Sequence, residues 1–170
     1  MVDVVSPAVR SRMMAGIRGK NTKPEMLVRK GLFARGFRFR LHVARMPGKP
    51  DLVFPKHKAV IFIHGCFWHG HDCHLFKWPQ TRNSFWEDKI RRNKAVDERS
   101  IEALNQKGWR ILVLWECALK GKTRIPEDKM MNRIEKWLLS HRLTGVICGE
   151  SREEQECRKT TSVKLKVLGI

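Results

Sequence analysis

"PGKPDLVFPKHKAVIFIHG", residues 47–65, reads as a turn, a short strand, a connection and a second strand. Pro47-Gly48 carries the turn chemistry, and Asp51-Leu52-Val53-Phe54 follows as a strand. After Lys56-His57-Lys58, the run Ala59–Ile63 is apolar on both faces, the pattern of a strand covered on both sides of a sheet. Because side chains alternate along a strand, Asp51 shares a face with Val53, and Phe62 shares one with His64. Pairing the two strands would bring a carboxylate and an imidazole to the same face.

Working outward, the residues on either side supply the rest of a domain. "NTKPEMLVRKGLFARG" (21–36) places Thr22, Pro24 and Glu25 as a capping box with proline in the first turn, and Gly36 supplies the stop. The spacing predicts a helix over 23–35. "FRFRLH" (37–42) alternates Phe37, Phe39 and Leu41 against Arg38, Arg40 and His42, a strand with one wet face. On the far side, Ser84 with Glu87 forms a second capping box. Trp86, Ile90, Asp97, Ile101 and Leu104 then fall near one helical stripe that Gly108 ends. "WRILVLWEC" (109–117) is another buried strand, and "EDKMMNRIEKWLLSHR" (127–142) a last helix. The order helix, three strands, helix, strand, helix predicts one α/β domain, a mixed central sheet flanked by helices.

Three regions follow: a basic N-terminal arm over 1–20, the domain over 21–143, and a weakly ordered polar tail over 144–170. The 170 residues hold 35 Lys and Arg against 17 Asp and Glu, a formal charge of +18 that points to a polyanionic partner. No apolar run is long enough to span a bilayer, so nucleic acid leads a membrane as that partner. "MVDVVSPAVRSRMM" lacks the apolar core of a signal peptide, which places the chain in the cytoplasm. In that reducing compartment Cys66, Cys73, Cys117, Cys148 and Cys157 read as thiols or metal ligands rather than disulfides.

The densest chemistry lies in "IFIHGCFWHGHDCHLFKW" (61–78). Cys66, His69, His71, Cys73 and His74 are ligand types for a tetrahedral Zn²⁺ site, and Cys117 follows the strand 110–115. No Cys-x₂-Cys knuckle is present, so this is not a standard zinc finger, and small buried thiols with surface histidines are the bland alternative. Other residues carry bland readings as well. Capping alone explains Glu25, His64 is a core histidine as readily as a catalytic one, and core packing competes for Trp86. Phe67 and Trp68 are awkward to bury side by side in a loop of glycines and histidines. Lys89, Arg91, Arg92 and Lys94 divide between phosphate contacts and a solvated face.

A Pro-Asp strand followed by a buried strand resembles the restriction-endonuclease-like nucleases, although His64 stands where those enzymes carry lysine and their second carboxylate is missing. "PGKPDLVF", "VIFIHGCFWHGHDC", "TRNSFWEDKIRRN" and "GWRILVLWECAL" together resemble the very-short-patch repair endonucleases, from about residue 6 to 142. The resemblance implies a restriction-endonuclease-like fold and nicking of duplex DNA 5′ to the thymine of a T·G mismatch, the product of 5-methylcytosine deamination. It implies Mg²⁺ on Asp51 and the backbone carbonyl of Ile63, catalytic roles for His64 and His69 with Glu25 associated, and structural Zn²⁺ on Cys66, His71, Cys73 and Cys117. Phe67, Trp68 and Trp86 become a wedge beside the mismatch, with Met14 on the minor-groove side and Lys89, Arg91 and Arg92 on DNA. The implied partners are T·G-containing duplex DNA and general mismatch-repair proteins, with the chain acting as a monomer. A restriction-like nuclease with another target, or a zinc-stabilised DNA-binding module without catalysis, stays open beside this reading.

Overall fold

The computed structural model describes Ser6, Ala8, Val9, Arg12 and residues 19–150. Met14 and most of the basic arm lie outside the described residues, as does the tail from 151 onward.

Helix α1 (Lys23–Ala34) begins at the expected capping box. Thr22 Oγ1 accepts the Glu25 N–H at 3.4 Å, and Glu25 reaches back to the Asn21 N–H at 3.0 Å rather than to that of Thr22. Strand β1 is only Arg40–Leu41. Of the alternating face, Phe37 is buried and Phe39 packs on the core, but Leu41 is exposed. Strands β2 (Leu52–Phe54) and β3 (Ala59–His64) follow, joined by a 3₁₀ turn. Helix α2 (Asn83–Gln106), strand β4 (Arg110–Trp115), helix α3 (Glu127–Leu139) and strand β5 (Thr144–Ile147) complete the domain.

The sheet has the order β1-β2-β3-β4-β5. The first three strands are antiparallel and the last three parallel, so it is mixed, as expected. Helices α2 and α3 are the crossovers that parallel pairing requires. Alternation along the central strands sorts the core into two clusters. Ala59, Ile61, Leu112 and Leu114 pack with residues of α1 and α3, while Val53, Val60, Phe62, Ile111, Val113 and Trp115 pack with Leu104 of α2. His64 has the parity of Phe62 and so belongs to the α2 face.

Three expectations are corrected. The second capping box does not form: α2 starts one residue before Ser84 and has Arg82 at its N-cap, left-handed at φ 56°, with no side-chain cap hydrogen bond. The Arg82 guanidinium instead sits 4.7 Å above the Phe85 ring, so aromatic packing governs the entry to the helix. The domain also runs past residue 143, because β5 pairs with β4 from Ile111↔Thr144 to Leu114↔Ile147 and buries Ile147. Finally, Cys148 is disulfide-bonded, against the expectation of reduced thiols throughout. Among the described residues, no helix is long and apolar enough to cross a membrane.

Candidate active site and metal cluster

The chemistry-bearing side chains gather where the parallel strands end, the usual place for a site on an α/β sheet. His64 closes β3, Trp115 closes β4, and Glu116 and Cys117 follow it. A cleft of about 1150 Å³ opens there, with Glu25, His42, Asp51, His64, His69 and Asp97 among its lining.

Asp51 stands just before β2, and its Oδ2 accepts the Ile63 N–H at 2.6 Å. Burial, partly offset by that hydrogen bond, pushes the Asp51 carboxyl up to about 6. Asp51 and His64 both line this cleft. His64 is buried, and its ring stacks on His69 with centroids 3.9 Å apart and planes 1° from parallel. Burial first, then the neighbouring His69 and His71, hold His64 well below the ordinary imidazole range. It is a neutral ring at pH 7.

His69 Nδ1 lies 2.5 Å from Asp97 Oδ2 on α2, while His64 Nε2 is 4.0 Å from Asp97 Oδ1. The sequence places Asp97 only on the helical stripe. An acidic residue at an apolar position of an amphipathic helix was the available signal, since such a carboxylate needs a partner. The sequence likewise marks His42 only as the wet end of a strand. It lies 3.6 Å from Glu25 and 4.0 Å from Asp51.

Cys66, His71, Cys73 and Cys117 form a separate cluster, with ligand atoms all within 4.8 Å of one another. The His71 Nδ1 atom is 3.6 Å from Cys66 Sγ and 3.7 Å from Cys117 Sγ. Tetrahedral geometry with ordinary Zn–S and Zn–N bond lengths requires about 3.6 Å between such atoms. The hydrogen bond between the two side chains, with burial adding to it, pushes the Cys66 thiol up, and the same hydrogen bond pulls Cys117 down against burial. His74 stays outside the cluster, its Nε2 buried and without a hydrogen-bond partner among the described residues. Trp115 joins the two centres: its ring stacks on His71 at 4.1 Å and meets His64 edge-on at 5.4 Å.

Phe67, Trp68 and Trp86 pack together at the cleft mouth, with centroids 5.2 to 6.0 Å apart. All three are half-buried, so core packing does not account for Trp86. Asn93 of α2 holds the turn by donating to the Trp68 carbonyl at 2.8 Å. Lys89, Arg91 and Arg92 are exposed on the same helix, and Arg91 pairs with Asp88.

A family model described as DNA mismatch endonuclease Vsr matches residues 2–75, the span that includes Asp51, His64, His69 and three of the four clustered ligands. The Escherichia coli (strain K12) DNA mismatch endonuclease Vsr is 41% identical over 155 residues, covering 91% of this chain and 94% of that protein. The chain belongs to the Vsr family of DNA mismatch endonucleases. Two further relatives are type II nicking enzymes. V.XorIIP of Xanthomonas oryzae is 48% identical over 119 residues, with 70% of this chain and 88% of its own length covered. V.NmeAIP of Neisseria meningitidis serogroup A is 46% identical over 122 residues, with 72% and 87% covered.

Proposed function

We propose that this Vsr-family chain is a Mg²⁺-dependent endonuclease that nicks duplex DNA 5′ to the thymine of a T·G mismatch, with Zn²⁺ holding its active-site loop. The observation that carries the reading is the sorting of one interleaved segment into two centres. Asp51, His64 and His69 line the cleft, while Cys66, His71, Cys73 and Cys117 close on one another at zinc-like separations.

For magnesium, Asp51 and the Ile63 carbonyl would be the oxygen donors. Residues of an extended strand point N–H and C=O to the same side, so the Ile63 carbonyl points where its N–H meets Asp51. The ion would supply charge stabilisation to the phosphate oxygens. His69 donates through Nδ1 to Asp97, which leaves its Nε2 as the proton acceptor for an attacking water. His64, stacked against it and neutral, fixes the plane of the ring.

Zinc would tie the turn after β3 to the turn after β4, so the catalytic and aromatic residues between Gly65 and Cys73 share one clamp. The Phe67, Trp68 and Trp86 group would stand against the mismatched step, which opens more easily than a matched one. Lys89, Arg91 and Arg92 supply positive charge for the backbone, and Met14 is proposed on the minor-groove side.

The test is a nicking assay on T·G and T·A duplexes with and without Mg²⁺, on protein whose zinc content has been measured. One zinc per chain and Mg²⁺-dependent nicking confined to the T·G strand are expected. Equal cleavage of both duplexes would favour a restriction-like target, and DNA binding without cleavage a non-catalytic module.

A further inference from the structure

Glu25, His42 and Asp51 place ligand atoms within 4.8 Å of one another and look at first like a second metal group. The hydrogen bonds around them say otherwise. Glu25 Oε1 accepts from the Thr22 hydroxyl at 3.0 Å. Its Oε2 accepts the Asn21 N–H at 3.0 Å and the Arg29 guanidinium at 2.5 Å. Both oxygens of this buried carboxylate are therefore engaged by the chain itself.

Arg29 is the next link. It lies one turn further along α1, is buried, and is fixed on its other arm by Asn21 Oδ1 at 2.6 Å. The same Nη2 that meets Glu25 also lies 2.8 Å from His42 Nε2. A guanidinium has only donors, so this contact needs a lone pair on Nε2. In the neutral ring the proton then resides on Nδ1. That atom has no hydrogen-bond partner among the described residues: Asp51 Oδ1 is 4.0 Å away, beyond hydrogen-bond reach. His42 lines the cleft, and its backbone is left-handed at φ 44°, a conformation uncommon outside glycine that is retained where side-chain placement matters.

We propose that the Glu25–Arg29 pair locks His42 in the Nδ1–H tautomer, so that His42 is a neutral hydrogen-bond donor to a non-bridging phosphate oxygen of the DNA beside Asp51. Arg29 and Glu25 are positioning residues in this arrangement. His42 touches the substrate. A metal ligand at Nδ1 would need the proton on Nε2, where it would oppose the Arg29 donor. The phosphate assignment rests on the nuclease reading above, whereas the tautomer does not.

Long-range proton–nitrogen correlation spectra of the zinc-loaded protein, free of Mg²⁺ and DNA, report the tautomer directly. The wild type is expected to show the Nδ1–H pattern at His42, and Arg29→Met to move it toward Nε2–H. An Nε2–H or doubly protonated His42 in the wild type overturns the proposal even if the Arg29 variant does not fold. The donor role is read from affinity for a T·G duplex in Ca²⁺. His42→Leu, which removes a hydrogen bond to a charged group, is expected to weaken binding about 10-fold or more. His42→Gln, which keeps a neutral donor, is expected to stay within about 3-fold of the wild type. Equal loss in both variants overturns the donor role. Pulsed EPR of bound Mn²⁺ gives a separate check: a nitrogen coupling present in the wild type and absent in His42→Gln would make His42 a metal ligand instead. Failure of the wild type to nick would count against the nuclease reading and leave the tautomer result standing.

Discussion

At Asp51 the fold holds a carboxyl away from water, and burial pushes it up to about 6, above the ordinary carboxylate range. The folded state therefore binds a proton more readily than the unfolded chain between roughly pH 4 and 6. Stability of the magnesium-free protein should fall as pH rises through that window and stay at the lower level above it. Asp51→Asn removes the opposed charge while keeping an acceptor for Ile63. At pH 7.5 it should raise unfolding stability by on the order of 1–3 kcal/mol. At pH 4 the gain should vanish, and Mg²⁺-dependent nicking should be lost at every pH. Urea unfolding at the two pH values checks this, and no gain at pH 7.5 would mean that burial does not oppose the charge. His69 and Asp97 form one unit at 2.5 Å, so their substitutions should not add. His69→Ala should lower single-turnover nicking about 10²–10⁴-fold, and Asp97→Asn combined with it should cost little more. Additive losses would separate the two residues.

Among the elements, the turn between β3 and α2 gathers the most candidate site residues with the least regular structure. It is held by the Cys/His cluster at one end and by Asn93 and the aromatic group on the other. Glu116 adds a further tie by accepting the Cys66 N–H at 3.1 Å. Trp68 stands at the exposed side of this clamped turn, in contact with Phe67 and Trp86. If it is inserted at the mismatch, Trp68→Ala should reduce the preference for T·G over T·A duplex by about 10-fold, the worth of one stacked aromatic. Binding measured on both duplexes decides, since an equal loss on each would assign Trp68 to general packing of the turn. Strand β5 shows the limit of reading elements by pattern. Thr144–Ile147 is four residues long with a glycine among them, too short for periodicity to register, and its burial comes from the flank of β4.

For the whole molecule, a formal charge of +18 on 170 residues sets the long-range attraction to DNA. Affinity for matched duplex should fall log-linearly with salt, about 10³-fold or more between 50 and 200 mM if six or more phosphates are contacted. A flat salt dependence, measured by fluorescence anisotropy, would remove phosphate contact as the basis of binding. The sequence by itself determined the helices, the two central strands, and the ligand-type residues from which the Cys/His cluster is drawn. Each of these is local: capping chemistry, side-chain alternation and ligand type are written within a few neighbouring positions. Tertiary structure alone decided the partners. Asp97 reaches His69 across 28 residues of chain, Cys117 closes on Cys66 across 51, and Arg29 meets His42 only because α1 docks beside the strand end. Such pairings depend on how faces pack, and a side chain's spacing along the chain carries no record of what will stand opposite it.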